Sequence, residues 1–216
     1  MKQLTPIKLL PARDRVAASL REAILTRTLQ AGEELTLKGT AAMLGVSVTP
    51  VREAFQILAR DGLIELRPNK GAVVLGFNEK RIRDHYEARA VLEREAAMAV
   101  CRNGADLAPI ENAYLQAAIA LQNQNSQQYS NYNQAFHMEI WNASGNEVIK
   151  ELLAGLWNGL SMGQEDTKET YANLSNTEHG LILDALRARD AELAGQRMND
   201  HIFRSMNSVL THLTEQ

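Results

Sequence analysis

Residues 37–61 read LKGTAAMLGVSVTPVREAFQILARD, and the stretch decides the fold because it spells two helices joined by a tight turn. Ala41, Ala42 and Leu44 offer the apolar side of a short first helix. Gly45 supplies the left-handed conformation that ends it, and Ser47 or Thr49 can cap the next one. Pro50 falls in the first turn of the second helix, where a missing N–H costs little. Val51, Ala54, Phe55 and Leu58 recur at i, i+3, i+4 and i+7, so one stripe turns toward a core while Val48, Thr49, Arg52 and Gln56 face outward. An outward face that is small at its N-terminal end and carries one guanidinium can enter a DNA major groove end first. Amides and hydroxyls then lie near phosphates, and Arg52 reaches a phosphate or a guanine edge. Any small helical hairpin can share this pattern, so the flanks carry the decision.

Downstream, residues 63–67 (LIELR) alternate as a strand, residues 68–71 (PNKG) form a turn cluster, and residues 72–75 (AVVL) make a β-branched strand. This is a hairpin wing, with Lys70 at its tip beside Gly71, a residue that lets backbone approach a nucleic-acid strand. Upstream, residues 12–28 place Val16, Leu20, Ile24 and Leu25 on one helical stripe. Arg13, Arg15, Arg21 and Arg27 lie mostly off that stripe on a solvated face, with Arg13 and Arg15 the candidates for a phosphate. Residues 29–35 read as a turn leading to Thr36, a cap for the helix pair, and residues 1–11 as a flexible arm ending at Pro11. The sum is a winged three-helix unit of roughly 65 residues, a size that folds alone.

With 216 residues and 45% hydrophobic content, the chain can bury a substantial core. Its net charge of -3 hides an asymmetry: residues 1–77 carry 11 Lys+Arg against 7 Asp+Glu, and residues 78–216 carry 12 against 19. A mildly basic head on an acidic body suits a polyanion at one end only. The single Cys101 asks for no oxidising compartment. No apolar run reads as a signal peptide or a membrane span, so the expectation is a cytoplasmic protein without a membrane partner.

From residue 78 onward the spacing predicts helices only, near 79–103, 106–124, 127–143, 146–163, 174–188 and 190–214. Asn78 is a cap for the first. Breaks fall at Gly104, the Asn/Gln/Ser tract, Ser144-Gly145, a polar stretch from Gln164 to Thr170, and Arg189-Asp190. The fold expected is mainly α: an N-terminal winged helix-turn-helix with a small β-hairpin wing in residues 1–77, then an all-helical antiparallel bundle in residues 78–216.

Residues 29–35 (LQAGEEL), 45–55 (GVSVTPVREAF) and 58–74 (LARDGLIELRPNKGAVV) resemble the winged helix-turn-helix of the GntR family of bacterial transcription regulators. The resemblance implies operator contacts from Lys38, Ser47, Thr49, Arg52 and Gly71. Where that family commonly has an arginine after the turn serine, this chain has Val48, which substitutes an apolar contact to a thymine methyl for a guanine contact. Residues 86–97 (YEARAVLEREAA), 133–146 (NQAFHMEIWNASGN), 178–190 (EHGLILDALRARD) and 198–206 (MNDHIFRSM) resemble the FCD ligand-binding domain of the FadR subfamily.

All five histidines, at 85, 137, 179, 201 and 212, fall in the second half. His137 shares a helix face with Asn133, and three imidazoles from separate helices suit Zn²⁺ or a similar ion with one position open. Ordinary hydrogen-bonded histidines at packed edges are the plain alternative. The resemblance implies a divalent metal such as zinc or nickel, held by an aspartate and by histidines that match His137, His179 and His201. The aspartate's place is taken by Asn133, a weaker oxygen donor, which leaves a metal-free cavity or a metal on histidines alone as the competing pictures. Arg89, on a stripe with Ile82, His85, Leu92 and Ala96, points inward and wants an anion: an internal carboxylate, or the small carboxylate effector that the resemblance implies.

Three functions compete. The first is a ligand-responsive regulator that binds double-stranded operator DNA as a homodimer, with Arg89, Asn133, His137, His179 and His201 around the effector. The second is a constitutive DNA-binding regulator whose helical half only dimerises. The third is a metalloenzyme at the histidines, which lacks an identifiable general base.

Overall fold

Val16, Ala17, Leu20 and Ile24 recur at helical spacing behind Pro11, and they become the buried face of α1 (Ala12–Leu25). In the computed structural model, which describes residues 11–68, 70–76, 79–157 and 165–214, α1 packs on α3 (Val48–Arg60). Between them runs α2 (Leu37–Leu44), opened by Thr36, whose hydroxyl accepts from Gly39 N at 3.1 Å, and closed by Gly45 at φ 63°. Ser47 is the N-cap of α3 but makes no side-chain cap bond. The stripe of α3 is buried as its spacing requires, Val51, Ala54, Phe55 and Leu58 each being 1% exposed or less. Burying such aliphatic and aromatic side chains stabilises the unit by about 1.5–3 kcal/mol apiece. In α2 the inward face is Thr40 and Ala41, whereas Ala42, expected there, is exposed.

The turn expected at residues 29–35 contains a strand, β1 (Glu34–Leu35). It pairs with β3 (Gly71–Val74), which pairs in turn with β2 (Ile64–Arg67), giving a three-stranded antiparallel sheet in the order β1-β3-β2. Gly71 is fixed by this sheet: it stands at φ 111°, and a Cβ there would meet the Leu35 carbonyl oxygen at 2.0 Å.

The second half is helical among the described residues: α4 (Glu79–Arg102), α5 (Ala108–Gln122), α6 (Ser126–Ala143), α7 (Glu147–Leu156), α8 (Glu165–Arg187) and α9 (Ala191–Thr214). Helix α8 begins at Glu165, so the polar stretch expected to break the chain through Thr170 belongs from Glu165 onward to its first turns. α4 lies along α9 and α5 along α6, and Phe136, Ile140, Trp141, Leu153, Ile182 and Leu186 are buried among them. The head has its own cluster around Phe55 and Leu58. The helix expected to run to 163 stops at Leu156, where Trp157 turns extended. The N-terminal arm to residue 10, the turn residue Asn69, the cap at Asn78, and the side chains of Leu25 and His212 lie outside the described residues.

Arg13, Arg15 and Arg27 are exposed as expected, but Arg21 of α1 is not. It is 4% exposed, its NH1 donates to the Trp157 carbonyl at 3.0 Å, and its NH2 is ion-paired with Asp61, the C-cap of α3. It lies where the head meets the helical body, so at this one position a side chain that sequence alone would leave to water is covered by tertiary packing. No helix among the described residues is long and apolar enough to cross a membrane.

Candidate functional site

Helix α3 and the wing face one another across a cleft of about 850 Å³, lined by Lys38, Val48, Arg52, Gln56, Arg67, Lys70 and Gly71 together with Thr36, Leu37, Phe55, Leu66 and Pro68. Lys38, Arg52 and Lys70 are exposed, and among the described residues none of the three has an ion-pair partner; Arg67 pairs with Glu65 at 3.1 Å. Ser47 and Thr49 sit exposed at the N-terminal end of α3, whose first amides lack intrahelical acceptors. Sequence reasoning missed Arg67, although its place beside the wing turn was visible. Of the α1 arginines named for phosphates, Arg15 lines a different cleft, shared with Ser126, Ser130 and Trp157 of the body, and Arg13 lies 3.6 Å from Asp14. Lys38, Arg52 and Lys70 thus make a row of cations without ion-pair partners among the described residues, beside a helix N-terminus, an arrangement that fits a phosphate backbone.

The second site forms where α4, α6, α8 and α9 meet. His137 on α6, His179 on α8 and His201 on α9 are all buried, and each offers a ring nitrogen within 4.8 Å of the others. The Nε2 atoms of His179 and His201 are 3.3 Å apart. Two nitrogens bound to one tetrahedral ion at ordinary zinc–nitrogen lengths also stand about 3.3 Å apart, so this pair suits a shared metal as well as an N–H···N bond between neutral rings. Glu178 accepts from His201 Nδ1 at 2.6 Å, which turns His201 Nε2 inward as a lone pair. Arg204 in turn donates to Glu178 and to Ser175, the latter at 2.7 Å. His179 Nδ1 is buried without a hydrogen-bond partner among the described residues.

Glu93, which sequence reasoning passed over, is the buried anion of the site. It is 0% exposed, accepts from Arg89 Nε and NH2 at 3.1 and 3.0 Å, and accepts from Trp141 Nε1 at 2.7 Å. His137 Nδ1 lies 3.2 Å from the same carboxylate, at ion-pair distance but off the line that a hydrogen bond needs. Burial pushes the Glu93 carboxyl up, but His137, Arg89 and the Trp141 donor outweigh it and hold the group at about 2. Its signal in the sequence was the i, i+4 spacing from Arg89.

Arg89, Asn133, His137 and His201 border one small cavity with Tyr86, Trp157, Tyr171, Ser175 and Ser205, its volume about 20 Å³. That is space for about one water molecule, too little for a carboxylate of several atoms. His179 stands behind this wall, stacked on Phe136 at 4.2 Å between ring centroids. Burial, with the neighbouring His137 and Arg204, holds His201 down at about 4, although Glu178 pulls upward. Burial foremost, then the neighbouring His201, His137, Arg204 and Arg89, holds His179 well below the ordinary histidine value. Neutral imidazoles are the form that binds a metal. The donor set therefore fits a divalent ion on three histidines, with Asn133 at the cavity wall as the weakest oxygen donor.

A cationic α3–wing cleft on a winged helix, joined to a helical body with an internal polar site, defines a DNA-binding transcription regulator. Residues 12–74 match the family described as bacterial regulatory proteins, gntR family, and residues 84–204 match the FCD domain, so the chain belongs to the GntR-type regulators that carry an FCD domain. It is 27% identical to the gluconate operon transcriptional repressor of Bacillus subtilis over 87% of this chain and 80% of that one. It is 25% identical to the transcriptional repressor RspR of Escherichia coli over 96% and 92%. Among solved structures, Escherichia coli McbR/YncC superposes with a TM-score of 0.70 at 22% identity, covering 94% of this chain and 99% of that one. A putative GntR regulator from Rhodococcus gives 0.60 at 26%, covering 92% and 97%. Family and relatives are transcription regulators, not enzymes.

Proposed function

We propose that the chain is a cytoplasmic, ligand-responsive regulator that binds an inverted-repeat operator as a homodimer, residues 1–77 reading the DNA and residues 78–216 dimerising and holding the effector. The observation that carries the DNA half is the cleft in which Lys38, Arg52 and Lys70 converge without anionic partners among the described residues. Lys38, Ser47, Thr49, Lys70 and Gly71 then hold the backbone, Arg52 reads a base edge, and Val48 meets a thymine methyl. One head of this size makes too few contacts for specificity, and a two-fold pair of heads matches a two-fold site. Light scattering on the operator-bound protein should give two chains per site; a single chain would end the dimer reading.

In the body, a small carboxylate takes the place of the Glu93 carboxylate on Arg89, and Asn133, His137, His179 and His201 close around the rest. Two relatives are named for operons of sugar-type compounds, gluconate and D-xylose, which supports a small hydroxylated acid as the class. A divalent metal such as zinc or nickel, held by His137, His179 and His201, would supply a Lewis-acidic position for an effector oxygen. A cavity of only about 20 Å³ also favours a second reading, in which the body dimerises without any effector. Gel-shift with selected genomic fragments, repeated with a panel of small hydroxy acids and sugar acids, separates the two: effector-dependent release supports the first, and binding indifferent to the whole panel the second.

A further inference from the structure

Trp157 has its side chain in one functional site and its backbone on the other. Its indole, 5% exposed, walls the histidine cavity, with Arg89 Cζ 4.8 Å and the His137 ring 5.2 Å from its centroid. Its peptide unit closes α7 in an extended conformation (φ -63°, ψ 121°), and its carbonyl, turned away from the helix, accepts from Arg21 NH1 of the head. Arg21 in turn grips Asp61, the C-cap of α3. Four residues thus run from the cavity to the end of the DNA-facing helix: Arg89, Trp157, Arg21 and Asp61.

We infer that Arg21 is a positioning residue that couples the two sites, so that a change in the cavity's contents moves Trp157 and re-aims α3 through the Arg21–Asp61 pair. Stability alone is a poor account of Arg21. A buried guanidinium gives up its hydration, and apolar replacements for buried ion pairs are often neutral or stabilising. Arg21 Nε, moreover, is buried without a hydrogen-bond partner among the described residues. What the guanidinium provides that an apolar side chain cannot is directed attachment to two separate bodies at once. Coupling is reciprocal, so DNA on the head must also be felt at the cavity.

The inference rests on the reading of α3 as the DNA helix but needs neither effector nor metal, and its test uses neither. Of the two tryptophans of the chain, Trp157 lines the cavity and Trp141 donates to Glu93 behind it, and the head contains none. The probe is a fluorescein-labelled duplex that the full chain itself selects from genomic fragments; anisotropy of the label reads binding, and tryptophan emission reads the cavity. In the wild type, binding should shift the tryptophan emission. Arg21→Met should bind the duplex with a few-fold change in affinity and lose the shift, while Arg21→Lys should keep part of it. Should Arg21→Met fail to fold, Asp61→Asn carries the same test with at least half of the shift lost. A wild type that binds without any emission change, or an Arg21→Met protein that shifts like wild type, overturns the relay alone. Flat anisotropy in the wild type overturns the relay and the DNA reading together.

Discussion

At the scale of single residues, Arg52 and Lys70 line the same cleft but stand on different supports, and their losses should differ in kind. Arg52 projects from a helix whose opposite stripe is fully buried, so its guanidinium has a fixed origin from which to read a base edge. Arg52→Ala should cost about 1–3 kcal/mol per head on the selected operator, with little change on unrelated DNA. Lys70, exposed at the wing tip, should act as a phosphate counter-charge; Lys70→Ala should weaken all duplexes alike and lower the salt slope by about one per head. Fluorescence anisotropy across a salt series measures both, and an Arg52→Ala protein that holds the operator like wild type would mean that α3 docks by another face. In the body, Asn133 lines the cavity beside His137 but brings no charge to offset an ion's dehydration. Asn133→Asp should therefore tighten Zn²⁺ or Ni²⁺ binding by about tenfold or more. Calorimetric titration after chelation is the check: stoichiometric tight metal in the wild type would make the asparagine irrelevant, and no metal in either form would leave the histidines as packing residues.

At the scale of elements, the helices were legible because burial imposes a 3.6-residue period on the sequence, and the α3 stripe of Val51, Ala54, Phe55 and Leu58 is that period made solid. Strand β1 was not legible. Two residues hold no period, and Glu34–Leu35 is a strand only because β3 lies beside it. The first turns of α8 were hidden for a related reason, since a polar helical start carries no apolar period and resembles a linker. The site was legible in its histidines and Arg89, whose residue types announce chemistry, but not in Glu93 or Arg21, whose partners arrive from α6 and from Trp157 across the chain. Gly71 shows the limit within one element: its place in the wing suggested close approach to DNA, whereas its φ of 111° and its contact with Leu35 make it first a requirement of the sheet. Gly71→Ala should accordingly destabilise the head by about 2–4 kcal/mol, from left-handed strain and overpacking together. Hydrogen exchange should show the β1 and β3 amides losing protection while the α4–α9 core keeps its own. Unchanged protection in the sheet would mean that β1 gives way at no cost.

At the scale of the whole molecule, the histidines make stability depend on pH even before any ligand binds. His85, near Arg21 and Arg89, is held at about 3, chiefly by burial and then by those two cations, against the pull of the Leu156 carbonyl. His201 is held at about 4 and His179 well below its usual value, again chiefly by burial. In the unfolded chain each returns to about 6.5. Between the folded and unfolded values the unfolded chain binds the extra protons, so stability is complete above about pH 6.5 and falls as pH drops, flattening only near the folded values. The lowered carboxyls of Glu93 and Glu178 act in the same direction in more acid solution: their contribution is present above the ordinary glutamate range and is lost as pH falls through their folded values. Each fully neutral histidine contributes a slope of up to about 1.4 kcal/mol per pH unit. In chelator, to remove any metal that would itself hold the imidazoles neutral, the urea midpoint should therefore hold nearly level from pH 7.5 to about 6.5 and fall from there to pH 5. His85→Phe, which removes one half-buried titrating ring, should make that fall shallower. A midpoint flat over the same range would mean that these rings reach solvent or charged partners in the folded state. Because His85 bonds the backbone of Leu156, next to Trp157, and His137 and His201 line the cavity that Trp157 walls, the same acidification should loosen the joint between head and body along with the core.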